Sequence, residues 1–342
     1  MTQTDTASTC SVAVVIVNYC TPELALDCIE SLQHDGEEIP HFHIYVVDNA
    51  SPDGSAPHIK ASIAARGWHE TVKFLEMPRN GGFSYGNNAA LREILSASHP
   101  PDFVYLVNPD AIVRPGAVKN LADYMATNPS IAVAGGAILD TNNQQQVAAR
   151  RFPSIWSELE SAARLGPLSR LLRNKAVPLP IARIPHSCDW VSGASMMIAT
   201  RAIRDIGLFD ENYFLYFEEV DLCFRARRAG YSVHHVPDSV VIHIEGASTE
   251  IQKRQRRGAY WYNSRRRYLA KTLGITGLVL ADTLWAIGRL TFNLRKLARL
   301  TRRSAVQDRD PTHFAYDLLK GDFIALVTGR ILRERREAGT HP

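Results

Sequence analysis

The sequence is poor in cysteine: five residues, Cys10, Cys20, Cys28, Cys188 and Cys223, in a chain of 342. The number is odd, no two form a CxxC pair, and no histidine pair accompanies them at zinc-site spacing. That excludes a disulfide framework and a structural zinc site, and leaves buried free thiols of a reducing compartment. Residues 1–10 are polar, with neither a basic stretch nor an apolar one after it, so no secretory signal is expected. No apolar run reaches the roughly 20 residues of a spanning helix; the longest, residues 273–284, is interrupted by Asp282 and followed by Arg289. GxGxxG does not follow the first apolar run, which disfavours a dinucleotide dehydrogenase. Gly81 and Gly86 have the spacing of a Walker loop, but Asn87-Asn88 stands where Lys-Ser/Thr would reach phosphate, and that reading falls too.

What is present is a globular composition, 45% hydrophobic, with a formal charge of +4 whose positive residues crowd toward the carboxyl third. Residues 11–18 form a continuous apolar run, as a strand buried on both faces would. Thr21 as cap and Pro22 as first residue predict a helix up to Gln33. Strands follow at residues 44–47, ending in Asp48-Asn49, and at residues 72–77, leading to Arg79-Asn80-Gly81-Gly82. A helix is expected to begin near Ser84. The strand at residues 103–107 stops at Asn108-Pro109-Asp110, because proline cannot donate to a ladder. Pro115 then predicts a helix start, and residues 131–139 a further strand. Alternating strands and helices with short connections indicate a doubly wound, mostly parallel α/β sheet. Right-handed crossovers would gather Asn18, Asp48, Asn80 and Asp110 on one rim. A carboxylate at that edge suits a hard divalent cation carrying a diphosphate, although Asn-Pro-Asp is equally an ordinary turn. Asp48 either accepts from a nucleobase or ribose or caps the next helix. The glycines let the backbone pass close to a ligand.

From residue 141 to 187 the chain is polar, then basic, with five prolines and one expected helix at residues 156–172; it reads as a lid or a surface excursion. Trp190 either stacks on a sugar or fills the core, and Gly193-Ala194 permits close backbone approach. The aromatic stretch 213–217 precedes a helix on which Glu218 and Asp221 share a face and Glu219 points elsewhere. Acids there are good dipole partners, or, packed beside aromatic rings, better bases. A strand at residues 231–236 is followed by the apolar run that ends in His243. In the carboxyl third, residues 253–257 and 265–267 are basic and interleaved with Tyr260, Trp261, Tyr262 and Tyr268. Leu290, Leu294 and Leu297 share one helical face, while Arg295, Arg299, Arg302 and Arg303 share another. This predicts a helix on an anionic bilayer surface, or one packed on the protein with a solvated basic face. Residues 314–337 suggest one more amphipathic helix. No zinc-finger, RNP or helix-turn-helix signal supports nucleic-acid binding.

In order, Val15-Ile16-Val17-Asn18-Tyr19, Val47-Asp48-Asn49-Ala50-Ser51, Asn80-Gly81-Gly82-Phe83, Asn108-Pro109-Asp110, Ser192-Gly193-Ala194, Phe209-Asp210-Glu211 and Glu218-Glu219-Val220-Asp221-Leu222-Cys223 resemble inverting glycosyltransferases of family 2 with a GT-A fold. The branch is similar to bacterial rhamnosyltransferases, and the resemblance spans residues 12–268. It implies a GT-A sheet flanked by helices, with a helical basic C-terminal extension. The chain would divide into a disordered start (1–10), a nucleotide-sugar-binding half (11–140), an acceptor and catalytic half with a basic loop insertion (141–248) and a membrane-associated helical region (249–342).

Carried over by position, Asn18, Asp48, Asn80, Gly81, Gly82, Asn108, Gly193 and Ala194 would bind the nucleotide sugar, with Asp48 on the nucleobase. Asp110 would bind the metal on the diphosphate and His243 would be its second contact, for Mg2+ or Mn2+. Trp190 and Glu218 would meet the acceptor. Glu219 stands where the family commonly has an aspartate general base, one methylene longer, which leaves open whether Asp221 helps or substitutes. The implied reaction is direct displacement with inversion. The donor would be dTDP-rhamnose or a UDP-sugar, and the acceptor a polyprenyl-diphosphate-linked saccharide. The setting would be cell-surface polysaccharide assembly, at the inner face of the cell membrane. No nucleic-acid partner is expected; the subunit number is open, a homo-oligomer included. A UDP-hexose transferase, a nucleotidyltransferase and a basic nucleic-acid-binding protein are the alternatives.

Overall fold

A computed structural model describes residues 10–244, 256–298 and 310–332. The expectations placed on residues 1–9, on Lys253 and Arg254, on Arg299, Arg302 and Arg303, and on the tail after residue 332 lie outside the described residues. The chain divides into two compact units: Met1–Arg150 with Leu179–Phe214 and Glu218–Glu250, and Arg151–Pro178 with Leu215–Phe217 and Ile251–Pro342.

The first unit opens with β1 (Val12–Asn18), α1 (Pro22–Gly36), β2 (His43–Asp48), α2 (Ser55–Ala65), β3 (Val72–Glu76), α3 (Gly82–Ser96) and β4 (Phe103–Val107). It continues through β5 (Ala111–Val113), α4 (Ala117–Ala126), β6 (Ile131–Leu139), β7 (Gln145–Gln146) and β8 (Ala149–Arg150). The second unit contributes α5 (Ile155–Ala163) and α6 (Gly166–Leu171), after which β9 (His186–Cys188), β10 (Trp190–Val191), β11 (Ser195–Ala199), α7 (Thr200–Ile206), α8 (Glu218–Arg228) and β12 (Ser232–His243) return to the first. The long α9 (Ala259–Leu297) and α10 (Phe314–Val327) complete the second unit.

The strand order is β3-β2-β1-β4-β11-β6-β12-β5, with β7 beside β6 and β9 beside β12. The α/β class is the one read from the sequence. The parallel run is confined to β3, β2, β1 and β4, and to the β6–β12 pair; β11 runs antiparallel between β4 and β6. Every residue of β1, β4 and β11 is buried, which explains why these strands read as unbroken apolar runs. The ends of β1, β2, β4 and β12 lie on one edge, because β12 runs in the same direction as β4.

Several local expectations are corrected. Thr21 does not cap α1; its hydroxyl donates to Asn18 Oδ1 at 3.0 Å, and the helix runs on to Gly36. The helix after β3 begins at Gly82, two residues early. Pro115 sits in the turn before α4, where Gly116 takes a φ of 80° and Asp35 accepts from the Gly116 and Val118 amides, satisfying the helix start from outside. The two runs ending at His243 form one strand, whose register shifts between Val236 and Val240, around Pro237. The single helix expected at residues 156–172 is two, broken at Arg164 with φ 45°.

In the second unit, α5 packs along α9, and α9 breaks at Gly274. Tyr262, Trp285, Leu318 and Ala162 form a small core with Trp261 and Phe314 against it. Arg265, Arg266 and Arg267, read as a basic surface, are buried instead. Arg265 bonds Asp282 at 2.8 Å and Glu158 at 2.9 Å, and Arg266 bonds Asp322 at 2.8 Å. Asp282 therefore does not interrupt the outer apolar surface of α9, which among the described residues is long and apolar enough, by length and composition, to cross a bilayer.

Candidate active site

The rim is built from strand ends. Asn18 and Asp48 are aligned by the parallel β1–β2 register, and Asn18 Nδ2 donates to Asp48 at 2.8 Å. Asp48 is fully buried and also accepts from the Ser51 amide at 2.9 Å and the Ser51 hydroxyl at 2.7 Å. Its carboxylate thus fixes the turn after β2 and the Asn18 amide.

Asn80, Gly81 and Gly82 are held by Asn49, a residue sequence reasoning did not single out. Asn49 Nδ2 donates to Asn80 Oδ1 and to the Gly82 carbonyl, both at 3.0 Å, while Asn80 Oδ1 accepts from Gly82 N at 2.9 Å. Gly82 has φ 86°, and a Cβ there would fall 2.0 Å from the Phe214 carbonyl oxygen. That carbonyl accepts from Phe83 N at 2.8 Å, so the glycine lets the chain touch the loop that leads to α8. Asn88 pins the same loop further back: it bonds the Phe209 amide and carbonyl and Glu211 Oε1 at 2.9–3.0 Å. In the sequence it stood only as part of Asn87-Asn88, the pair that argued against a Walker loop.

Asn108 and Asp110 follow β4. β12 pairs antiparallel with β5, His243 opposite Ala111, and this places His243 beside Asp110. Nε2 of His243 lies 3.1 Å from Asp110 Oδ1 and 3.1 Å from Asn108 Nδ2. One ring nitrogen thus meets an amide donor and a carboxylate acceptor, a competition that a cation shared by carboxylate and imidazole would remove. Asp110 is buried and His243 nearly so. Among the described residues no cluster of three or more such ligands is present; a carboxylate and an imidazole side by side are nonetheless donors that divalent ions accept. The pair fits a divalent ion.

Gly193 and Ala194 lie in the turn before β11, where Ser195 is in register with Val107, next to Asn108. Gly193 faces Phe83, which would stand 3.4 Å from a Cβ. Trp190 is buried, 8% exposed, so it belongs to the core more than to an open sugar platform. Arg150, opposite it on the β8–β10 ribbon, holds its guanidinium 5.1 Å from the ring centre.

α8 packs against β10 and carries the acids in its first turn. Tyr216 and Phe217, with φ of 70° and 69°, precede it in the left-handed region, an uncommon pair for non-glycine residues. Glu218 is buried and Glu219 partly exposed. Oε2 of each lacks a hydrogen-bond partner among the described residues. Burial raises the Glu218 carboxyl well above its ordinary value of 4.5, with the charge of Glu219 adding to it. Burial also raises Glu219, while the Arg150 charge pulls it back. Asp221 is fully buried and bonds Arg225 at 2.9 Å; Arg225 in turn donates to the carbonyls of Ile206, Gly207 and Leu208. Asp221 therefore anchors the α7–α8 connection.

Residues 10–264 match the family described as glycosyltransferase like family 2. The chain is similar to the N-acetylglucosaminyl-diphospho-decaprenol L-rhamnosyltransferase of Mycobacterium tuberculosis, 28% identical over 229 residues, covering 60% of this chain and 67% of that one. It is also similar to the rhamnosyltransferase WbbL of Escherichia coli, 25% identical over 240 residues, covering 68% and 83%. Its fold resembles that of GalNAc-T7, solved with UDP, GalNAc and Mn2+, at a TM-score of 0.54 and 13% identity over 91% of this chain; this chain spans about half (54%) of that one. The fold is GT-A, and the chain belongs to glycosyltransferase family 2.

Proposed function

We propose that this glycosyltransferase moves L-rhamnose from dTDP-rhamnose to a polyprenyl-diphosphate-linked saccharide, with inversion, during cell-surface polysaccharide assembly. Its place would be the cytoplasmic face of the cell membrane, held there by the helical carboxyl-terminal region. The observation that carries the reading is the Asp110–His243 pair, 3.1 Å apart on the rim where β1, β2 and β4 end. The rhamnosyltransferase relatives support the donor and acceptor.

In this reading the Asn18–Asp48–Ser51 cluster shapes the nucleoside side of the site, with buried Asp48 acting by orienting Asn18. The tight Asn80-Gly81-Gly82 turn and Gly193-Ala194 bring backbone close to the donor, and Asn108 lines the diphosphate side. Asp110 and His243 would hold Mg2+ or Mn2+, which when bound supplies positive charge to the leaving diphosphate. Glu219 removes the proton from the acceptor hydroxyl as that oxygen attacks the anomeric carbon from the face opposite the leaving group. Its partly exposed position and raised affinity for a proton suit a base; in Glu218, buried beside it, the charged form is disfavoured more strongly, and the side chain packs the helix start. Trp190 backs the acceptor side through Arg150.

Calorimetric titration with dTDP, UDP and GDP, with and without Mn2+, tests this, alongside Asp110→Asn. The expected result is metal-dependent dTDP binding that the variant loses. Preference for UDP would point to the UDP-hexose alternative, and failure to bind any nucleotide would sink the reading.

A further inference from the structure

The second unit pairs charges in its interior, beside its small apolar core, and exposes apolar side chains. Its buried centre holds Arg265 bonded to Asp282, Glu158 and Asp322, and Arg266 bonded to Asp322, so the charges of α5, α9 and α10 neutralise one another within the protein. Beyond Gly274, α9 turns Leu278, Ala281, Trp285 and Phe292 inward, and Gly288 lies against the backbone of Leu159 and Ala163. The opposite face of α9 is just as apolar, and it is exposed: Leu280, Ile287, Leu290 and Leu294 follow one another at helical spacing.

From residue 272 to 294 this exposed face carries no charge. The two ionisable residues in that span are Asp282, turned inward to Arg265, and Arg289, which pairs with Asp310 at 2.8 Å. At 1.5 Å per residue the part of this stretch beyond the break at Gly274, residues 275–294, is about 30 Å long. α10 follows it in part: Asp322 faces in, while Phe323 and Val327 are 66% and 69% exposed, with Lys320 exposed at the head of the same face.

A helical unit built for water places its charges outward and keeps exposed apolar patches small. One built against hydrocarbon does the opposite, since acyl chains accept leucine and phenylalanine freely and a charge must be paired inside the protein. We infer that the uncharged outer face of α9, with the exposed apolar residues Phe323 and Val327 of α10, inserts into the acyl-chain layer of a lipid bilayer, lying in one leaflet. The inference deepens the proposed membrane location and rests on it, replacing attraction between basic side chains and anionic lipid with apolar insertion.

Flotation of the full chain with vesicles of pure phosphatidylcholine, which carry no net charge, tests the idea at about 0.1 M and about 1 M KCl. Insertion predicts co-flotation that high salt leaves intact, and a loss of about tenfold or more in Leu290→Asp/Leu294→Asp and in Phe323→Asp. These positions are exposed, so the variants should keep the wild-type melting temperature and nucleotide binding. Binding restricted to phosphatidylglycerol vesicles and abolished by salt would overturn the inference in favour of basic adsorption. So would a concentration-dependent dimer that does not float, with the faces covered by a second copy, or variants that float as wild type does. Loss of nucleotide binding with intact flotation would strike the proposed reaction and support the insertion.

Discussion

Asp110 and His243 are 133 residues apart in the chain, yet the imidazole Nε2 lies 3.1 Å from the carboxylate, because β12 pairs with β5 directly after the Asn108-Pro109-Asp110 turn. Neither residue is a convincing ligand by itself; strand pairing makes them a pair.

Replacing His243 by alanine should therefore weaken metal-dependent dTDP binding by at least about 10-fold. The variant should also lose preference for Mn2+ over Mg2+, since an imidazole suits the softer ion and the remaining carboxylate does not. Titrations with each metal read both effects; unchanged metal preference would remove His243 from the site.

Glu219 and Asp221 are separated by their surroundings. Glu219→Gln should lower kcat by about 10²–10⁴-fold while nucleotide affinity stays as in the wild type. Asp221→Ala should instead act on the fold, because it strips Arg225 of its carboxylate at the α7–α8 connection; loss of about 3 kcal/mol is expected for a broken buried pair. Steady-state kinetics beside denaturant unfolding distinguish the two. A stable Asp221 variant with the larger kcat defect would exchange the roles.

The pH profile carries a further consequence. A base works deprotonated, and burial lifts the Glu219 carboxyl above its ordinary value of 4.5, so kcat should rise with pH along a limb displaced upward from that value. Arg150 favours the ionised form. Arg150→Gln should move the limb to still higher pH, with little change in rate on the alkaline plateau. A limb that stays put would detach Arg150 from the base.

The rim itself was legible in the sequence, because Asn18, Asp48, Asn108 and Asp110 each end an apolar run that periodicity marks as a strand. Strand order was not: the pattern of residues 195–199 is the same whether β11 runs parallel or antiparallel between β4 and β6. The supports of the site were also hidden. Asn88 acts through Phe209, 121 residues away, and Asn49 through Asn80, 31 away, and no local pattern announces such partners. Arg265 to Arg267 misled for the same reason. A run of arginines looks like a solvated face until Asp282, Asp322 and Glu158 are seen to close around it.

The buried carboxyl of Glu218 leaves its own mark on stability. Its folded-state proton affinity is raised by burial and by Glu219, so between 4.5 and its folded value the native state binds a proton that the unfolded chain has released. Stability linked to this group is then fully present below 4.5 and falls as pH rises through the folded value, since the unfolded state binds fewer protons there. Glu218→Gln keeps the shape, remains neutral at every pH and removes that loss. Its melting temperature should match the wild type near pH 4.5 and exceed it by a margin that widens as pH rises toward the folded value. Scanning calorimetry across that range decides the matter: a constant offset, or one that shrinks with rising pH, would mean that burial does not hold the Glu218 proton in the folded protein.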